Sequence, residues 1–236
     1  MIVTIMQPAY LPWLGYFDRI ALSDVFIVLD HVALDQNSRT KFANRNKIRT
    51  RQGWSWLTVP VKSKGKHGQL FINEIEILAE SDWRKTHFKS IKHNYEKTLY
   101  YSQYINFFAS LYNREFLHLE DVLNEVTGFL MASLGLKQTV LYSSQMEVFG
   151  HKAELILNLC RAVGATTYLS GPFGRSYLDS SSFGSANIKL EFHDYVHPEY
   201  PQAYPGFLPF MSVVDLLFNC GPGSLEVLRS RKERIA

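Results

Sequence analysis

Three polar stretches of this chain carry residue types that proton transfer and anion binding require. In the first, Gln7, Tyr10, Trp13, Gly15 and Tyr16 fall within ten positions, and Asp30 closes the next apolar run. Gln7 offers neutral hydrogen bonds, the aromatics a surface for a base or sugar, and Asp30 a proton acceptor. The second is Tyr168-Leu169-Ser170-Gly171-Pro172, continuing to Tyr177-Leu178-Asp179. Its glycine lets backbone approach a ligand closely, although an ordinary β-to-α connection has the same composition. The third runs Tyr195-Val196-His197-Pro198-Glu199-Tyr200-Pro201-Gln202 and on to Asp215 and Asn219. Its prolines make a stiff loop presenting His197, and an imidazole oriented by Asp215 is suited to general base catalysis near neutral pH. His93, close to Tyr95, is a further candidate to touch substrate.

Basic residues are concentrated between positions 39 and 66, where Arg39, Lys41, Arg45, Lys47, Arg49, Arg51, Lys62, Lys64 and Lys66 occur with no acid among them. Such a segment suits a phosphate-bearing ligand, or forms a solvated face; Arg45 and Lys47, with Asn46 between them, are the candidate binding residues. The formal charge of +3 over 236 residues is too small to argue for nucleic acid. No Walker-type loop, GxGxxG, HExxH or GxSxG is present. The scattered histidines argue against a metal site, and the residues name no cofactor. Two cysteines, Cys160 and Cys220, are too few for a disulfide framework and read as small apolar residues.

The elements expected to position these groups alternate between strand and helix. Residues 1–6 and 25–29 are nearly continuous apolar runs, the pattern of strands covered on both faces, with a loop and a short helix between them. Residues 54–61 and 71–77 read as strands, the second half-exposed from its period-two alternation, with a turn over 63–68. A helix opens after Ser81-Asp82 and places Trp83, His87, Ile91 and Tyr95 on one face. Residues 101–134 supply one or two more helices, interrupted near Asn113. Strands over 139–142, 166–169 and 188–192, a helix over 151–163 and a helical region from 213 complete the chain. The expected fold is a single α/β domain over 1–236, with a mainly parallel, Rossmann-like sheet and residues 81–135 as a helical subdomain or insertion. Lacking a signal sequence or a long apolar span, the protein is expected in the cytoplasm without membrane insertion.

Several blocks together resemble the WbqC-like family. They are Met6-Gln7-Pro8-Ala9-Tyr10-Leu11-Pro12-Trp13-Leu14-Gly15-Tyr16-Phe17, Asn44-Arg45-Asn46-Lys47-Ile48-Arg49, Trp56-Leu57-Thr58-Val59-Pro60, Tyr168-Leu169-Ser170-Gly171, Tyr177-Leu178-Asp179, His197-Pro198-Glu199-Tyr200-Pro201-Gln202 and the segment from Ser212 to Gly221. The resemblance implies a bacterial or archaeal cytosolic protein encoded among genes for O-antigen and other surface polysaccharides. It supplies a pathway rather than a mechanism. Joined to the residues, it leads to an expected acyl or aminoacyl transfer onto a nucleotide-linked amino sugar. In that reading His197 with Asp215, or Asp30, acts as base, and an amino-terminal turn and a late proline-stiffened loop wall one polar cavity. The opening is also similar to nucleotidyltransferases with a His-x-Gly-His signature, but Trp13 and Tyr16 occupy the histidine positions. That nucleotide-activating reading, and a non-catalytic sugar-nucleotide binding protein, are the alternatives.

Overall fold

A computed structural model describes residues 1–33, 43–62 and 70–230. The polypeptide divides into two compact units, both discontinuous in sequence. The first comprises Met1–Gln7, Asp18–His31 and Leu136–Tyr195, and the second Pro8–Phe17, Val32–Gly135 and Val196–Ala236.

The first unit is built on a five-stranded sheet: β1 (Ile2–Met6), β2 (Val25–Val28), β5 (Thr139–Tyr142), β6 (Thr167–Ser170) and β7 (Lys189–Phe192), in the order β5-β2-β1-β6-β7. All four pairings are parallel. β2 is buried along its length and β1 nearly so, as their unbroken apolar sequences require. Helix α1 (Leu14–Ala21) connects β1 to β2, and α5 (Ala153–Ala162) connects β5 to β6. The chain steps outward from β1 to β2 and β5, then returns to the other side of β1 with β6 and β7. The strand order therefore reverses between β1 and β6, and open parallel sheets take ligands outside the carboxyl ends of strands at such a reversal.

The second unit holds a two-stranded antiparallel hairpin, β3 (Arg45–Thr50) and β4 (Gly53–Thr58). With it belong α2 (Trp83–Tyr95), α3 (Tyr101–Tyr112), α4 (Leu119–Ser133), α7 (Val213–Cys220) and α8 (Ser224–Arg229). Trp83, His87, Ile91 and Tyr95 are the buried residues of α2, on the face their four-residue spacing requires. Phe218 of α7 centres an aromatic cluster: Tyr95 stacks on it at 5.0 Å, and Tyr104 and Phe108 lie 6.2 and 6.0 Å away.

Two expectations are corrected, and one strand was not expected. Residues 71–77 form a 3-10 turn (Ile72–Glu74) flanked by isolated bridges rather than a strand. The alternation survives as burial of Ile72, Ile75 and Ile77, but the bridging partners, Ala33, His118 and Val61, lie in three different segments and build no ladder. β3 was hidden by its charge, since Asn46 and Ile48 face inward while Arg45 and Lys47 alternate outward. The Asp82 side chain makes no capping bond to α2; its carbonyl accepts the N–H of Thr86. The turn expected over 63–68, and Arg39, Lys41, Lys64 and Lys66, lie outside the described residues.

Candidate active site

At the carboxyl edge of the first unit's sheet, two buried side chains separated by 175 positions form a pair: His193 Nε2 and Asp18 Oδ2 are 2.7 Å apart. His193 is the first residue beyond β7, and its backbone N–H donates to the carbonyl of Ser170 at 2.8 Å, carrying the β6–β7 pairing past the strand ends. Asp18 lies on α1, the helix that leaves the end of β1. A carboxylate only accepts hydrogen bonds, so Nε2 is the donor, and in the neutral form of the ring the lone pair is on Nδ1. A carboxylate that sets the tautomer and would stabilise an imidazolium is the arrangement of a general base. Tyr195 stacks on His193 at 5.7 Å, and burial, with the Asp18 charge adding to it, holds the Tyr195 phenol well above its ordinary range.

Beside this pair lies the turn after β6. Ser170 is buried, its hydroxyl donating to the carbonyl of Gly171 at 3.2 Å. Arg19, one residue past Asp18, donates from Nε to the Met6 sulfur at 3.0 Å, and its Nη1 occupies the space a side chain on Gly171 would fill. Gly174 is similarly close to the Ser170 hydroxyl. Tyr177 is half exposed; burial raises its phenol and the Arg19 charge lowers it in part. Gln7, the first residue past β1, is exposed at the same edge of the sheet.

Asp30 has a different environment. Its Oδ1 accepts from the Ser143 hydroxyl at 2.8 Å and the Ser144 N–H at 2.9 Å, and its Oδ2 from the Ser144 hydroxyl at 2.6 Å. Burial acts to raise this carboxyl, but the Ser144 and Ser143 bonds outweigh it and hold it below its ordinary value. The residue fastens the end of β2 to the end of β5 and is a poor proton acceptor, contrary to its expected role. Asp179 is the N-cap of α6 (Ser180–Ser185), accepting the N–H groups of Ser181 and Ser182.

In the second unit the amino-terminal turn meets the late segment. Val213 N–H donates to the carbonyl of Pro12 at 2.9 Å, Trp13 bridges Ser212, and the Trp13 and Phe210 rings are 5.8 Å apart. Asn46 locks this junction from within, fully buried, with Nδ2 donating to the carbonyl of Leu11 at 2.7 Å. Asp215 is also fully buried. Its Oδ2 accepts from the Tyr200 hydroxyl at 2.8 Å and from Gln202 Nε2 at 2.9 Å. Burial pushes Asp215 up to about 6 despite these donors, Tyr95 and the Arg49 charge. His197 donates from Nδ1 to the carbonyl of Pro198 at 2.8 Å, so that carbonyl fixes the tautomer expected of Asp215. Its ring lies between 5.5 and 6.2 Å from Phe210, Phe207 and Tyr200, and burial lowers its basicity. Tyr200 thus stands beside both His197 and Asp215. Arg49 donates to the carbonyls of Thr50, Gly53, Pro205 and Gly206, tying the hairpin to the late loop.

Several expected binding residues have no surface to offer. Tyr10 is fully buried, its hydroxyl 2.8 Å from His87 Nδ1 and 2.5 Å from the Tyr112 hydroxyl, and Tyr16 is buried against Phe17. Asn219 donates to the carbonyl of Asp215 within α7. His93 is exposed in the last turn of α2. Arg45 lies over the Trp56 ring at 4.5 Å and Lys47 over that of Trp54 at 4.3 Å, forming a half-exposed basic and aromatic face of the hairpin. Cys160 and Cys220 are free, and burial pushes their thiols up to about 12 and about 11, which keeps them un-ionised. No described helix is long and apolar enough to cross a membrane. Sequence reasoning passed over Asp18, Arg19 and His193. The signal available for His193 was its place as the first polar residue after a strand of a parallel sheet.

Residues 7–227 match the WbqC-like protein family. The uncharacterized protein Rv1507c of Mycobacterium tuberculosis (strain ATCC 25618 / H37Rv) is 36% identical over 229 residues, a stretch covering 96% of this chain and 97% of that protein. No solved structure matches the chain. With its opening Gln-Pro turn, its basic hairpin and helix α7 all inside the matched stretch, the chain belongs to the WbqC-like protein family.

Proposed function

We propose that this protein is a cytoplasmic transferase of surface-polysaccharide precursor synthesis, moving an acyl or aminoacyl group onto the amine of a nucleotide-linked amino sugar. The sheet serves as a Rossmann-like frame with the substrate at its carboxyl edge. The observation that carries the reading is the Asp18–His193 pair next to the Ser170-Gly171 turn, where the strand order reverses. In the reaction the amine nitrogen attacks the carbonyl carbon of an activated acyl donor, a thioester or mixed anhydride. A C–N bond forms, the bond to the carrier breaks with its electron pair leaving on the carrier, and the amine proton passes to His193 Nδ1. The imidazolium is stabilised by Asp18, and its proton is returned to the departing carrier.

The test is an end-point assay by mass spectrometry. The protein is incubated with UDP- and dTDP-linked amino sugars, each with acyl thioesters or with ATP and amino acids. A mass increase on the sugar portion is the expected result. Binding of the nucleotide sugars without modification by any donor would contradict transfer and favour a non-catalytic binding protein.

A further inference from the structure

We propose that His31 accepts a hydrogen bond from a ribose hydroxyl of the nucleotide-linked substrate, its Nε2 lone pair being presented by a relay that runs from Asp30 through Ser143. The inference rests on the proposed substrate class and adds to it the contact that holds the nucleoside. His31 lies just beyond β2, at the carboxyl edge of the first unit's sheet.

The hydrogen bonds around Ser143 allow one arrangement of protons. A serine hydroxyl has one proton and two lone pairs. Asp30, held ionised by its bonds to Ser144 and Ser143, only accepts, so the Ser143 proton goes to Asp30 Oδ1 at 2.8 Å. The Asp30 backbone N–H, at 3.2 Å, takes one lone pair, and the other accepts from His31 Nδ1 at 2.7 Å. Nδ1 therefore carries a proton, and in the neutral form of the ring the lone pair is on Nε2. Every capacity of the Ser143 hydroxyl is used, which fixes the tautomer and holds the ring. Asp30 and Ser143 are buried, whereas 30% of the His31 side chain is exposed, and Nε2 has no hydrogen-bond partner among the described residues. A buried carboxylate and serine thus support a nitrogen that reaches solvent.

A lone pair on Nε2 accepts and does not donate, so it matches a hydroxyl and not a phosphate oxygen. Nucleotide-binding sheets wound in this strand order take the ribose on an acceptor about 20 residues beyond the turn after the first strand, the place His31 holds. Three strand spacings, about 14 Å, separate β2 from β7, so His31 and His193 stand on either side of the strand-order reversal. A ligand with hydroxyls toward one end, an amine toward the other and a diphosphate between them suits two such nitrogens.

Isothermal titration of the full-length protein with UDP, GDP and CDP, and then with the 2′-deoxy and 3′-deoxy forms of the tightest binder, tests the assignment. Removing one of the two hydroxyls is expected to weaken binding by about 5- to 100-fold. His31→Phe should bind the intact nucleotide and that deoxy form equally, with affinity for the deoxy form within about twofold of the parent protein's. A merely structural role would weaken both ligands together and preserve their ratio. Ser143→Ala, which releases Nδ1, should reduce the ratio in part. No binding by any of the three diphosphates, no loss with either deoxy form, or an unchanged ratio in His31→Phe would overturn the proposal. His193→Gln separates this inference from the transfer reading, because it should keep the ratio while transferring nothing. A parent protein that transfers without discriminating the deoxy forms would end the ribose contact and leave the transfer reading standing; a ratio that depends on His31, with no transfer by the parent, would do the reverse.

Discussion

His87 stays neutral in the folded chain because its ring is buried, which outweighs the opposite pull of its bond to the carbonyl of Thr58, while the Tyr10 hydroxyl lies against Nδ1. Burial lowers it to about 4, against about 6.5 in an unfolded chain. Its contribution to stability is whole above pH 6.5 and is lost as pH falls toward 4, a span worth on the order of 3 kcal/mol. Asp215 has the opposite sign: raised from 3.8 to about 6, it contributes fully below pH 3.8, and that contribution is lost as pH rises through 6. The two nearly cancel between pH 4 and 6. Replacing His87 by Gln should therefore cost stability at pH 7.5, and that cost should shrink by on the order of 3 kcal/mol at pH 4. Urea midpoints at both pH values check this; a cost independent of pH would show that His87 is not held neutral by its surroundings. The histidine assignments also show what residue types reveal alone. Prolines drew attention to His197, but its Nδ1 is satisfied by the neighbouring Pro198 carbonyl. The carboxylate that orients His193 is 175 positions away, and no local pattern contains it.

Among the elements, those legible in advance repeat one physical pattern along their length. α2 buries a residue every fourth position, and β1 and β2 are apolar on both faces. Ile91, fully buried on that helix, should lose about 2 to 5 kcal/mol when changed to Ala, whereas exposed Lys92→Ala should change stability by less than about 0.5 kcal/mol. Chemical denaturation of both variants measures the contrast, and equal losses would place the buried face wrongly. Gly15 makes a sharper test of the amino-terminal turn, because the Trp13 ring lies where its Cβ would be. Gly15→Ala should cost about 1 to 3 kcal/mol and move the Trp13 fluorescence, while a neutral effect would mean that the indole does not cover the turn. The β3–β4 hairpin was less visible because the buried residues of β3 are Asn46, Ile48 and Arg49, so polar and charged groups outnumber apolar ones there. Asn46 satisfies its polar groups on Leu11 and Lys47, contacts that a sequence pattern does not encode.

At the scale of the molecule, the chain passes between its two units five times, so each unit is assembled from segments far apart in sequence. The middle helices pack with the hairpin and with α7 in the second unit, a grouping set by Phe218 and its aromatic neighbours. Hydrophobic period announces a helix but not its tertiary partner, which is why the parallel sheet was legible and the grouping of its companions was not. Pro12 and Val213 join the amino-terminal turn to the late segment by a backbone bond. The proposed chemistry instead depends on the carboxyl edge of the first unit's sheet. It is tested most directly by transfer rates for His193→Gln and His197→Gln, measured side by side on one nucleotide-linked amino sugar at saturating donor. Gln at 193 retains a donor for Asp18 but removes the basic nitrogen, so the rate should fall by about 100-fold to 10,000-fold, with His197→Gln within about tenfold of the parent. Full activity in His193→Gln, with the loss appearing in His197→Gln, would contradict the account.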